Sequence, residues 1–219
     1  KGIVKKTDLM AYSNPRTAGI IALEIEEGDR LVSTRLTDGS YDILLASQKG
    51  QSIRFPETDV RPTGRTTRGV RGMALDADDR VIGMEVVSDA TVGYLVTVTR
   101  NGYGKRTHLE EYRTQSRGGK GIITIKTSER NGAVVDIKIT VDDEDLMLIT
   151  SHGKILRTRL DDLSVIGRNT QGVRLMELDA GEAIVAVAKL AESDEPAEGT
   201  ERDEEVPEPD EEPSAEENE

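Results

Sequence analysis

The stretch Gly102-Tyr103-Gly104-Lys105-Arg106-Thr107, followed by Arg117-Gly118-Gly119-Lys120-Gly121-Ile122, returns in altered form three more times along the chain. Its opening glycine recurs as Gly2, Gly50, Gly102 and Gly153, at intervals of 48, 52 and 51 residues. Four residues after each stands a base (Lys6, Arg54, Arg106, Arg157), followed by Thr7, Phe55, Thr107 or Thr158. A second glycine recurs as Gly19, Gly69, Gly121 and Gly172, at intervals of 50, 52 and 51, each followed by a β-branched residue. Arg65, Arg117 and Arg168 stand four residues before that glycine; Arg16 stands three before Gly19, one residue short. Two glycine registers with one period mark an internal repeat.

Working outward, the apolar runs between these points are short and rich in β-formers. Ile43-Leu44-Leu45, Tyr94-Leu95-Val96-Thr97-Val98 and Leu146-Met147-Leu148-Ile149 lead into the next opening glycine. Residues 81–86, 134–139 and 184–187 supply a second set, and 122–125 and 156–160 a third. No helical period is sustained, so the chain reads as all-β. About four strands per repeat is the content of one propeller-type blade, and blades bury their faces only by stacking. The expected units are 1–48, 49–100, 101–151 and 152–191.

Composition narrows the function. Hydrophobic residues make up 35% of the 219, with one Phe, five Tyr and no Trp. Sites built on aromatic stacking, such as platforms for single-stranded nucleic acid, are therefore disfavoured. With no Cys, disulfides and thiolate-held zinc are excluded; His108 and His152 are too far apart in sequence to suggest a histidine metal site. No apolar run reaches membrane-spanning length. The net charge of −13 is unevenly placed. Residues 192–219 hold 15 acids and one base, a net of −14, leaving +1 for residues 1–191. That acidic, Pro-rich tail is expected to be disordered.

Gln115-Ser116-Arg117-Gly118-Gly119-Lys120-Gly121 resembles the glutamine–basic–arginine–Gly-Gly–basic–Gly box of the DNA gyrase A C-terminal domain family. Residues 101–107 and 165–173 resemble further segments of that domain, and the likeness runs through residues 1–191. It implies a β-pinwheel, propeller-like blades that exchange strands and wrap duplex DNA on a basic rim. Two departures stand out: Ser116 replaces a base, and the box lies in the third repeat rather than the first blade. The family's principal box, its first blades and its catalytic tyrosine domain are accordingly expected upstream of Lys1. The resemblance further implies a bacterial, cytoplasmic, nucleoid-associated type IIA topoisomerase that introduces negative supercoils. ATP and Mg²⁺ would be used by the holoenzyme, a heterotetramer of two gyrase A and two gyrase B polypeptides. The related topoisomerase IV domain and a propeller scaffold for protein partners are the alternatives.

This chain shows no catalytic constellation; Asp142-Asp143 and Asp161-Asp162 read as turn acids rather than an acid–base pair. The recurrent R-x-x-x-G loop suits phosphate, because glycine lets a backbone approach closely and arginine supplies charge and forked donors. Arg65, Arg68, Arg71, Arg117, Lys120, Arg168 and Arg174 are the expected DNA contacts. Lys6, Arg54, Arg106 and Arg157 are weaker candidates, lying on strands where bases are often merely solvated. The competing reading is that the glycines shape turns and the arginines pair with acids such as Asp76, Asp78 and Asp79.

Overall fold

A computed structural model describes residues 1–88, 92–142 and 144–190. The acidic segment 192–219, expected to be disordered, lies outside these residues. The strands are β1 (Ile3–Val4), β2 (Asp42–Ser47), β3 (Gln51–Pro56), β4 (Val70–Arg71), β5 (Val81–Val87), β6 (Tyr94–Thr99) and β7 (Tyr103–His108). They continue with β8 (Ile122–Ile123), β9 (Val134–Thr140), β10 (Asp145–Thr150), β11 (Ile155–Arg159), β12 (Val173–Arg174) and β13 (Ile184–Leu190). The described residues hold no α-helix, only short 3-10 turns.

Three of the four opening glycines turn an antiparallel hairpin: β2 into β3 at Gly50, β6 into β7 at Gly102, β10 into β11 at Gly153. The strand before the turn is central, and its other edge takes β5, β9 or β13. The sheets run β5-β2-β3-β8, β12-β7-β6-β9 and β11-β10-β13. Each outermost short strand belongs to the next repeat: β8 pairs with β3, β12 with β7, and β4 with β1. Neighbouring blades therefore exchange strands, which makes the architecture a β-pinwheel.

The same crossing explains the continuous apolar runs. Along β2, Leu44 and Ala46 enter one core with Leu95, Tyr112, Ile125 and Ile137. Ile43 and Leu45, on the opposite face, enter another with Ile53, Phe55, Val60 and Met73. Along β6, Leu95 joins the first, whereas Val96 and Val98 join a third core with Leu146, Leu148 and Ile184. A strand buried on both faces carries apolar residues at consecutive positions, so period-2 alternation disappears.

The first repeat departs from the pattern. Residues 13–41 form no strand, although 31–37 occupy the sequence register of β5. In the second repeat β5 is held by β2, which directly precedes Gly50. Among the described residues, 31–37 pairs with no central strand. Leu31 and Leu36 are correspondingly 51% and 78% exposed.

Candidate nucleic-acid interface

The repeat's fixed residues meet at the seams between blades. The Gly2 carbonyl accepts from Gly72 and Met73 N–H (2.8 and 3.1 Å). The Gly50 carbonyl accepts likewise from Thr124 and Ile125 (2.8 and 3.2 Å), and that of Gly102 from Leu175 and Met176 (2.8 and 3.2 Å). Gly50, at φ 84°, has no room for a side chain, since a Cβ there would collide with the Ile125 carbonyl. Gly121 completes the same clasp from the other side, where a Cβ would strike the Ser52 carbonyl. The close approach that these glycines permit is thus to the neighbouring blade's backbone.

The loop before each second glycine lies on this seam, and its arginine crosses it. Arg65 Nη1 donates to the Ile21 carbonyl (2.6 Å), Arg117 Nη1 to that of Arg71 (3.0 Å) and Arg168 Nη1 to that of Ile123 (3.0 Å). Ile21, Arg71 and Ile123 all stand two residues after the second glycine of the preceding repeat. The backbone repeats the link, with Ala74 N–H on the Gly119 carbonyl (2.9 Å) and Lys126 N–H on that of Thr170 (2.8 Å). The three loops therefore form one ladder along successive blades, each arginine using part of its fork on its neighbour.

In the box itself, Gln115 N–H bonds the Arg54 carbonyl (2.8 Å) and Gly118 N–H that of Gly72 (2.6 Å). Ser116 is exposed. Gly119 lies over Ile53, whose Cδ1 would be 3.7 Å from a Cβ added there.

The remaining loop bases differ in freedom. Arg71 and Arg174 are exposed at equivalent positions just past the second glycine. Arg174 Nη2 donates to the Tyr103 hydroxyl (3.3 Å), with Glu177 3.9 Å away. The Arg68 side chain is 72% exposed, 3.6 Å from Glu26 and 3.9 Å from Glu24. Lys120 is committed to Asp76 at 2.6 Å. The hairpin bases are neutralised by acids: Lys6 with Glu57 (3.3 Å), Arg54 with Asp42 (2.7 Å), Arg106 with Asp142 (2.9 Å), and Arg157 with Asp145. Arg106 is buried beneath Leu163, whose carbonyl its Nε meets at 2.8 Å.

Three bases escaped the sequence reading. Arg130 lies over the Tyr103 ring at 4.9 Å, beside Arg174 at 5.7 Å. Lys5 and Lys105 stand three residues after an opening glycine, but Ile53 and Leu156 fill that place in the other repeats, so no constant register betrays them. No group of three His, Asp or Glu among the described residues could hold a metal. No helix there is long and apolar enough to cross a membrane.

Strand-exchanged blades joined at glycine seams, with a row of basic loops along them, define a propeller-like repeat domain of the pinwheel class. Residues 1–38, 41–88, 93–140 and 144–191 match the family described as DNA gyrase C-terminal domain, beta-propeller, and the chain belongs to that family. It is 46% identical over 191 residues to the DNA gyrase A polypeptide of Salmonella typhimurium, covering 87% of this chain and 22% of that polypeptide. It is 42% identical over 197 residues to the gyrase A polypeptide of Haloquadratum walsbyi, covering 90% and 23%. The chain thus spans under a quarter of the length of these relatives. A solved DNA gyrase A C-terminal domain superposes with TM-score 0.71 at 31% identity, over 78% of this chain and 58% of that one. The C-terminal domain of DNA topoisomerase IV shares the fold, with TM-score 0.82 at 23% identity over 87% and 59%.

Proposed function

We propose that this chain is the DNA-wrapping part of a gyrase-type topoisomerase, binding duplex DNA along the ladder of basic loops. The ladder carries the reading: arginines of three consecutive repeats cross the seams at one position, with further bases displayed beside them. A duplex following that row meets positive charge at each blade, and counterion release supplies most of the affinity. Arg68, Arg71 and Arg174 face solvent and meet phosphates directly; Arg65, Arg117 and Arg168 offer the unused part of their guanidinium forks. Lys120 joins once Asp76 yields it, and the hairpin bases Lys6, Arg54, Arg106 and Arg157 chiefly brace the blades. In the parent enzyme, strand cleavage by a tyrosine would belong to the rest of the gyrase A polypeptide, and ATP hydrolysis with Mg²⁺ to its gyrase B partner. Such an enzyme would work on chromosomal DNA in the bacterial cytoplasm.

Arg71→Ala and Arg174→Ala test the row, because neither side chain donates to a backbone carbonyl across the seam as those of Arg65, Arg117 and Arg168 do; Arg174 meets only the rim of the neighbouring repeat, at the Tyr103 hydroxyl. Each should weaken binding to linear duplexes of unrelated sequence about equally. Each should also lower the salt slope of log K by about 0.9 per lost phosphate contact. Unchanged affinity and slope in both variants would show that DNA does not follow this row, and absence of any gel shift with the wild-type chain would favour a protein scaffold.

A further inference from the structure

Lys105 is fully buried, and its Nζ donates three hydrogen bonds to the loop that precedes Gly172. The acceptors are the carbonyls of Gly167 (2.7 Å) and Arg168 (2.6 Å) and the Thr170 hydroxyl (3.1 Å). No carboxylate lies within ion-pair distance of it among the described residues. An ammonium withdrawn from water without a paired anion is costly, and here backbone and hydroxyl oxygens alone use all three donors. The neighbouring strand residues grip the same segment: Thr107 Oγ1 donates to the Ile166 carbonyl (2.7 Å), and Ile166 N–H bonds that of Arg106 (3.0 Å). Lys5, at the corresponding place in the first repeat, donates to the Arg65 carbonyl at 2.6 Å. Each of these lysines thus reaches from one repeat to the loop arginine of the next.

The second repeat is an internal control. Ile53 holds that place, and the loop it faces is the one with two glycines, Gly118-Gly119, whose backbone settles on the isoleucine. A loop without its own glycine pair is held by a lysine, and the glycine-paired loop by an apolar contact. An apolar side chain at this place is evidently compatible with the fold.

We infer that Lys105 and Lys5 are positioning residues for DNA binding: ammoniums, fully buried at Lys105 and half-buried at Lys5, that fix the loops of Arg168 and Arg65 in the conformation that faces a phosphate. The inference rests on the DNA-binding reading above. The lysine and loop arginine repel one another, and a phosphate in front of the loop relieves that repulsion. Burial foremost, then Arg168, lowers the pKa of Lys105 to about 8, while Glu111 opposes the shift. Lys5 is lowered for the same two kinds of reason, burial and then Arg65.

The chain contains no cysteine, so Lys105→Cys introduces a single thiol. Alkylated in denaturant with bromoethylamine and refolded, it regains an ammonium at nearly lysine length; alkylated with iodoacetamide, it carries a neutral amide. Lys105→Ile, which copies the second repeat, is the variant expected to fold in any case. Hydrogen exchange of amides 166–172 and the salt dependence of duplex binding are read on each form of the full chain. In the neutral forms, loop exchange should rise at least tenfold while β6 and β7 stay protected. Affinity should fall several-fold, with a salt slope lower by about one unit, and the aminoethyl form should recover both. Unaltered loop exchange in Lys105→Ile would overturn the positioning role and leave the DNA reading intact. A loosened loop with unaltered affinity and slope would overturn the assignment of this loop to DNA, and failure of the aminoethyl form to recover either would show that charge is not what holds it.

Discussion

At the scale of single residues, the glycines and the hairpin bases carry the repeat for reasons other than those their spacing first suggests. Spacing alone fits a glycine that admits a phosphate equally well as one that admits a neighbouring carbonyl. Only the fold separates them, by placing the Ser52 carbonyl against Gly121. A comparison of two glycines measures the clasp. Gly153 has φ 82° with nothing within 4 Å of a new Cβ, whereas Gly121 has φ 80° and the seam in front of it. Gly153→Ala should therefore cost about 1 kcal/mol, the penalty of a left-handed L-residue. Gly121→Ala should cost about 1–3 kcal/mol more, as overpacking adds to the same strain. Urea unfolding midpoints at equal m-value check the difference; equal losses would mean that the seam relaxes freely around an added methyl group.

At the scale of elements, the strands at the cores of the blades were readable and their partners less so. β2 and β6 are continuous apolar runs because neighbouring blades cover both faces, whereas β10 is as apolar in sequence but alternates between buried and half-buried residues. β7 carries Tyr103-Gly104-Lys105-Arg106, whose two bases are satisfied by cross-seam hydrogen bonds that no hydrophobic period records; on β3, Ser52 accepts from the Thr124 hydroxyl across the seam and Arg54 pairs with Asp42 of its own hairpin. The exchange of β4, β8 and β12 is likewise invisible in the period, since a two-residue strand has the same spacing whichever blade it joins. Of the site, the loop arginines were legible through their register, but their use as cross-blade staples was not; Lys5 and Lys105 were missed because only two repeats have them. The seams also set where stability lies. Repeats stacked on both sides gain two interfaces, terminal ones a single one. Amides in 69–88, 92–142 and 144–150 should thus exchange more slowly than those in 1–40, where Leu9, Met10, Ile21 and Leu36 are exposed. Native-state hydrogen exchange reads this directly, and uniform protection from end to end would mean that the first repeat is as well packed as the others.

At the scale of the whole molecule, charge is divided between a near-neutral repeat domain and a segment of net −14 at residues 192–219. That segment bears the same sign as DNA and would compete for the same bases. Deleting 192–219 should tighten duplex binding at low salt, and the gain should shrink as ionic strength shortens the Debye length from about 30 Å at 0.01 M to about 8 Å at 0.15 M. Equal affinities of the two chains at low salt would show that the segment does not reach the loops. The central claim, that duplex DNA bends along successive blades, is tested most directly by sealing a nicked circular plasmid with ligase in the presence of the 219-residue chain and then removing the protein. Wrapping with the gyrase sense predicts topoisomers displaced toward positive linking difference, by an amount that grows with the protein-to-DNA ratio. A distribution centred on the relaxed plasmid at every ratio, with binding confirmed by gel shift, would contradict it.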